Sequence, residues 1–251
     1  GYPGAAICLF NDYLYKSQTG LVLVRSEQNA AHAAGGYPRS ACKPGVCIAP
    51  PGPGPTNLTP GIATAYMDSI PMVAITGQVN SELLGRDVFQ EADITGACEP
   101  FTKHSYLVKD PAELPRVFKE AFHIASTGRP GPVLIDVPMD VQQAKVAKFT
   151  YPEKAEIVGY KPRTEGHVMQ IKKAVKAIEE AKRPILCCGG GAVVGNARGE
   201  MGGFARDSGN PVCGTIIAIG GTPVDKTHLL AMIRLDDRTG VNPGQHAEDI
   251  V

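Results

Sequence analysis

Short apolar runs alternate with longer helix-like segments from the first residues to about Pro138, and few folds accommodate that alternation. The candidate strands are Leu21–Val24, Gly45–Ala49, Met72–Thr76, Ser105–Val108 and Val133–Val137. The candidate helices are Ala5–Lys16, Glu27–Ala41, Leu58–Asp68 and Ala112–Thr127. Strands joined through helices by short connections predict an α/β fold: a parallel sheet with helices on both faces. Leu21–Val24, Gly45–Ala49, Met72–Thr76 and Val133–Val137 are expected as its interior strands. Asp110-Pro111 with Glu113 reads as a helix start, and Gly128 as a helix stop.

This pattern defines a first domain over residues 1–140. Residues 141–165 turn polar, with Pro152 and Pro162, and are expected to be a linker. A partial second α/β domain follows over residues 166–251. It opens with an amphipathic helix, Gly166–Lys182, carrying Val168, Ile171, Val175 and Ile178 on one face. Pro184–Cys188 and Pro211–Cys213 read as strands, Gly189-Gly190-Gly191 and Gly220-Gly221-Thr222-Pro223 as turns. The chain starts as if just after a strand and stops on Glu248-Asp249-Ile250-Val251, which reads as the start of another. The expectation is a fragment of a longer polypeptide.

Charge narrows the range of partners. Lys plus Arg equals Asp plus Glu, at 25 each in 251 residues, so no basic footprint points to nucleic acid. No apolar run approaches the length of a membrane span. Seven cysteines without framework spacing suggest reduced thiols and a cytosol-like compartment. Cys187-Cys188 is expected to be core filler, and no His/Cys cluster has zinc spacing, so no metal ligand is assigned.

Several residues could carry chemistry. Pro50-Pro51-Gly52-Pro53-Gly54-Pro55-Thr56-Asn57 forms a rigid turn after a strand, where open α/β sheets bind ligands. The same residues also suit an ordinary strand-to-helix turn. Glu27 stands at the mouth of a helix, whose dipole favours a carboxylate. It is either a helix-start Glu or a buried acid exchanging a proton with a cofactor nitrogen, which needs a dry pocket. Phe89-Gln90-Glu91 lies in the long connection from Gly77 to Glu99; a neutral amide such as Gln90 can orient a carbonyl oxygen. Arg129, in Gly128-Arg129-Pro130-Gly131-Pro132, either ends a helix or clamps a phosphate. Gly189-Gly190-Gly191 is a weak dinucleotide cradle, since Gly-x-Gly-x-x-Gly is not met.

Taken in order, Gly1-Tyr2-Pro3-Gly4, Ser26-Glu27-Gln28, Gly52-Pro53-Gly54-Pro55-Thr56-Asn57, Thr76-Gly77-Gln78-Val79, Phe89-Gln90-Glu91 and Gly128-Arg129-Pro130-Gly131-Pro132 form a series. The series closely resembles the large catalytic subunit of acetohydroxyacid synthases (acetolactate synthases), a thiamine-diphosphate-dependent family. The resemblance is dense from Gly1 to about Gln143 and clear again from Tyr160 to Val194.

The resemblance implies that the first domain binds the pyrimidine ring of thiamine diphosphate and that the second is the start of a central, FAD-associated domain. A C-terminal domain binding Mg²⁺ and the diphosphate is absent from this chain, so the fragment alone is expected to be inactive. Glu27 falls on the family's catalytic glutamate, which protonates the aminopyrimidine and helps generate the thiazolium ylid. Pro3, Gly4, Pro53 and Asn57 fall on positions lining the ring. Phe89 and Gln90 fall near the reacting carbons, with Gln90 taken as catalytic and Phe89 as a lining residue. Arg129, Gly189, Gly190 and Gly191 fall on FAD contacts. The implied reaction decarboxylates pyruvate and transfers two carbons to pyruvate or 2-ketobutyrate, on the route to branched-chain amino acids. The implied assembly is a homodimer or homotetramer with scope for a small regulatory subunit, in the cytoplasm or, in a eukaryote, an organelle.

The chain departs from the family at Ser26, where His is usual, at Met139, where Lys is usual, and at Arg234-Leu235-Asp236-Asp237, where a Gly-Met-His-Gly FAD contact is usual. Alternative readings are a sulfoacetaldehyde acetyltransferase, a glyoxylate carboligase, or a truncated non-catalytic relative.

Overall fold

The computed structural model describes residues 1–218 and, beyond them, the backbone of Ala231–Met232. The chain divides into two compact units, Gly1–Thr164 and Glu165–Val251. Gly220–Pro223, Arg234–Asp237 and Glu248–Val251, singled out in the sequence, lie outside the described residues.

In the first unit a 3-10 turn, Ala5–Ile7, leads into α1 (Cys8–Lys16). Then come α2 (Glu27–Ala41), β1 (Gly45–Ala49), α3 (Pro53–Met67), β2 (Met72–Gln78), α4 (Ile94–Cys98), β3 (His104–Leu107), α5 (Leu114–Ser126), β4 (Pro132–Pro138) and α6 (Met139–Gln143). The sheet is wholly parallel, in the order β1-β2-β4-β3. All seven residues of β2 and of β4 are buried, as expected for strands covered on both faces.

Successive side chains of a strand point to opposite faces, and the two cores follow that alternation. Met72 and Ala74 of β2 and Leu134 of β4 join Ala30, Ala31 and Ala34 of α2 and Leu58, Ile62 and Ala65 of α3. Val73 and Ile75 of β2 and Val133, Ile135 and Val137 of β4 join Val117, Ala121, Ile124 and Ala125 of α5. Helices therefore cover both faces.

Two expectations are corrected here. Leu21–Val24 is not an interior strand. Val24 packs on the first core, but its backbone hydrogen bonds go to Gly1, whose N–H₃⁺ donates to the Val22 carbonyl (2.7 Å) and whose carbonyl accepts from Val24 N–H (3.1 Å). Tyr2 N–H donates to Ile48 of β1 (3.1 Å). One residue of pairing builds no ladder, and Leu21, Val22 and Leu23 stay exposed. The second correction is the start of α3 at Pro53 rather than Leu58. The prolines read as turn residues, but the first N–H groups of a helix have no intrahelical partner, so proline is tolerated there. Residues 144–164 contain neither helix nor strand, and Ile157 and Tyr160 among them pack on the second core.

The second unit contains α7 (Val168–Glu180), β5 (Leu186–Cys188), α8 (Gly190–Val194), α9 (Arg198–Ser208), β6 (Val212–Gly214) and β7 (Ala231–Met232). Its strands are parallel, in the order β5-β6-β7. Among the described residues its core comprises Cys188, Ala205, Val212 and Ala218 with Leu186, Val193 and Met201. Gly190 and Gly191 open α8 instead of closing a turn. Cys188 is buried, but Cys187, expected as core, is exposed, because adjacent strand residues face opposite ways and the described residues pack one face of β5. Among the described residues no helix is long and apolar enough to cross a membrane.

Candidate active site

The strands are parallel and the helices run back beside them, so the N-termini of α2 and α3 gather where β1 ends. Glu27 is the first residue of α2, after an extended Ser26, and is only 9% exposed. The helix dipole favours its negative charge there. Asn57, in the first turns of α3, donates through Nδ2 to Glu27 Oε2 at 3.2 Å. Glu27 Oε1 accepts no hydrogen bond from the described residues and looks toward Gly54. A Cβ added at Gly54 would lie 3.6 Å from that oxygen and 2.9 Å from the Pro50 ring. Gly4 is pressed against the same proline, since a Cβ there would fall 2.1 Å from Pro50 Cβ. Gly4, Pro50, Gly54, Glu27 and Asn57 thus form one contiguous group, with Pro3 and Pro53 exposed at its rim.

Gln90 approaches the same turn. Gly52 has φ +72°, and a Cβ on it would come 3.0 Å from Gln90 Cα. Gln90 itself sits at φ +61°, a left-handed conformation uncommon for a non-glycine residue. Such strain persists only where the surroundings over-determine it, and it clusters at functional sites. Here Glu91 staples the loop, accepting N–H bonds from Gly85 and, at 3.1 Å, from Val88. Those bonds, the Gly85 one first, hold its carboxyl below the usual range. Phe89 is 88% exposed, its ring free of the core.

Sequence reasoning missed a buried polar group beneath this loop. Asp136 on β4 is 1% exposed. Its Oδ1 accepts from Thr76 Oγ1 (2.6 Å), and its Oδ2 from Gln78 Nε2 (2.9 Å). Burial pushes the Asp136 carboxyl up to about 7, against the pull of those two bonds. Thr76-Gly77-Gln78 stands out as a motif, whereas Asp136 is hidden in an apolar strand. An acid in the middle of such a run is the available signal.

The remaining candidates lie elsewhere. Arg129 precedes β4, at the other edge of the sheet from Glu27. Its Nε donates to Ser69 Oγ (2.7 Å) and its Nη2 faces the carbonyls of Tyr66 and Met67 at the end of α3. Gly189, Gly190 and Gly191 belong to the second unit, where a Cβ on Gly189 or Gly191 would meet nothing within 4 Å. Among the described residues no group of three or more His, Cys, Asp or Glu side chains is placed to hold a metal ion.

The donor set of the Glu27 group fits the pyrimidine side of thiamine diphosphate. It offers one carboxylate oxygen without a hydrogen bond among the described residues, which a ring nitrogen can meet, and a neutral amide on the other oxygen. Comparisons with known proteins bear on the chain as a whole. Residues 1–97 match the model of the thiamine pyrophosphate enzyme N-terminal TPP binding domain. The chain is 47% identical over 244 residues to a probable acetolactate synthase large subunit of Methanocaldococcus jannaschii, covering 96% of this chain and 41% of that protein. It is 51% identical over 233 residues to the acetolactate synthase large subunit of Corynebacterium glutamicum, covering 92% and 37%. For the acetolactate synthase large subunit of Buchnera aphidicola the identity is 44% over 254 residues, covering 100% and 44%. The chain therefore spans roughly two fifths of the length of these relatives.

Proposed function

We infer that this chain, homologous along nearly its whole length to part of the acetolactate synthase large subunit, supplies the pyrimidine side of a thiamine-diphosphate site that makes acetolactate. The observation that carries the reading is the Glu27–Asn57 pair: a nearly buried carboxylate with one oxygen held by an amide and the other free toward glycine. Thiamine diphosphate, when bound, supplies the electron sink for loss of CO₂ from one 2-keto acid and transfer of two carbons to another.

The chain's own residues divide the remaining work. Glu27 would hold a proton between Oε1 and a pyrimidine nitrogen, while Asn57 keeps Oε2 from turning away. Pro3, Gly4 and Pro53 would wall the ring and exclude water. Gln90 would orient the carbonyl oxygen of pyruvate or 2-ketobutyrate without adding charge, and Phe89 would close over the apolar end of the substrate. Mg²⁺ would be held outside this chain. FAD, in a structural role, would be contacted by Arg129 in the first unit and, taken separately, by Gly189, Gly190 and Gly191 in the second. A homodimer or homotetramer, a small regulatory subunit and a cytoplasmic or organellar location complete the proposal.

The test is Glu27→Gln in the complete polypeptide carrying this chain, assayed for acetolactate from pyruvate with thiamine diphosphate and Mg²⁺. Loss of general acid–base catalysis should lower turnover about 10²–10⁴-fold while thiamine diphosphate still binds by calorimetry. Unchanged turnover would reduce Glu27 to a helix-start carboxylate and end this reading.

A further inference from the structure

We propose that Asp136 is a positioning residue for Gln90: it orients the side-chain amide of Gln78, which in turn fixes the carbonyl of Ala92, two residues from Gln90. The catalytic meaning of this tie rests on the reading of Gln90 given above; the tie itself does not.

Gln78 has no spare hydrogen-bonding capacity for its amide protons. One N–H of Nε2 goes to Asp136 Oδ2 (2.9 Å) and the other to the Ala92 carbonyl (2.8 Å). Its Oε1 accepts from Val79 N–H (2.9 Å). Asp136 completes the chain by accepting from Thr76 Oγ1. Thr76, Gln78 and Asp136 are 0%, 4% and 1% exposed.

The sheet does not need these side chains. The backbone ladder of β2 and β4 already pairs Thr76 with Asp136 and Gln78 with Pro138. Apolar residues of similar volume serve a buried position as well or better than a desolvated acid. Among the described residues, the one hydrogen bond the group makes beyond the strands and their immediate continuation is to the Ala92 carbonyl. A satisfied buried network is rigid, so the Ala92 end of the loop is held as firmly as the sheet. Glu91 holds the other end through Gly85 and Val88. Between the two ties sits the left-handed Gln90 backbone, against Gly52. Protonation of Asp136 does not release the tie. A proton on Oδ1 can be given to Thr76 Oγ1 while Oδ2 still accepts from Gln78. The charged group acting on Asp136 from the neighbouring loop is Asp93, whose carboxylate is occupied capping α4 through Gly96 N–H (2.9 Å).

The experiment compares Asp136→Leu with the double variant Asp136→Leu/Gln78→Leu in the complete polypeptide. Hydrogen–deuterium exchange is read over residues 85–92, with β2 and β4 as the internal control, and kcat for acetolactate is measured in parallel. In Asp136→Leu the Gln78 amide loses the acceptor that orients it, and the tie loosens. The double variant replaces the 78–136 bond with apolar contact, yet leucine at position 78 cannot donate to Ala92. Both should therefore show exchange over 85–92 faster by roughly 3- to 10-fold, the effect of one lost hydrogen bond. Both should also show reduced kcat with KM little changed, while the double variant regains protection in β2 and β4. Wild-type exchange over 85–92 in either variant would overturn the proposal, as would full recovery of loop protection and kcat in the double variant. Should Asp136→Leu alone fail to fold, the double variant decides. A wild-type protein that makes no acetolactate would remove the functional reading, while the exchange data would still decide the tie.

Discussion

The two edges of the first unit's sheet are built from opposite chemistry. At the carboxyl edge, helices begin. Glu27 stands at the N-terminus of α2, and glycines let Pro50, Gly54 and Gln90 approach one another closely. At the amino edge, helices end, and cations sit on their carbonyls. Arg129 meets the last carbonyls of α3, and Lys103 Nζ donates to Thr127 (2.7 Å) and Ile124 at the end of α5. Arg39, in the last turn of α2, pairs with Asp68 beside the end of α3. Both arrangements follow the helix dipole. Only the carboxyl edge combines a shielded carboxylate with one free oxygen and a strained backbone. The amino edge satisfies its helix ends; the carboxyl edge leaves one carboxylate oxygen of Glu27 without a hydrogen bond among the described residues.

That contrast can be broken at either edge. The largest effect is expected from pairing Glu27→Gln with Lys103→Met in the complete polypeptide. Glu27→Gln should cut turnover by about 10²–10⁴-fold with the melting temperature almost unmoved. Lys103→Met should do the reverse, and comparable turnover losses in both would dissolve the distinction between the edges. Next in size is Gly52→Ala. Positive φ and the 3.0 Å approach to Gln90 make any Cβ strained there. Steady-state kinetics should show kcat reduced roughly tenfold, on the order of the 1–3 kcal/mol such strain carries. Unchanged kcat would separate Gln90 from the site.

A third expectation concerns pH. The Asp136 carboxyl lies at about 7 when folded, above its ordinary 3.8, so between those values the native state binds more protons than the unfolded one. Stability from this group is therefore full below about pH 4, falls as pH rises to about 7, and is level beyond. Glu91 and Asp93 are shifted down, so their contribution is lost only as pH falls through a more acid range. Urea midpoints at pH 5 and pH 8 should show the wild type less stable at pH 8, with the difference smaller in Asp136→Asn. Equal differences would place Asp136 outside the pH dependence. The smallest effect is that of Lys103→Met on stability, about 1 kcal/mol from an uncapped helix end, read as a lower melting temperature.

The α/β class, the parallel sheet and the run of α2 from Glu27 to Ala41 were legible in the chain. Hydrophobic period and helix-start chemistry are local properties, carried within each segment. For the same reason Leu21–Val24 misled: its composition suits a strand, but a strand also requires a neighbour, and only Gly1 pairs with it. Pro53-Gly54-Pro55 misled in the other direction, since a turn and a proline-tolerant first helical turn share one composition.

The candidate site divides along the same line. Sequence singled out Glu27, Asn57 and Gln90, but their meeting depends on contacts thirty or more residues apart. The Glu27–Asn57 bond spans 30 residues, and the Thr76–Asp136 bond spans 60. Sequence by itself determined which segments could be strands or helices and which residue types were available for chemistry, because those depend on each residue and its near neighbours. Tertiary structure alone decided that Asp136 lies beneath the Gln90 loop, that Gln90 is held left-handed against Gly52, and that Arg129 lies at the opposite edge. Burial, close approach and hydrogen-bond partnership are relations between distant segments, fixed only when the sheet closes and water is excluded between them.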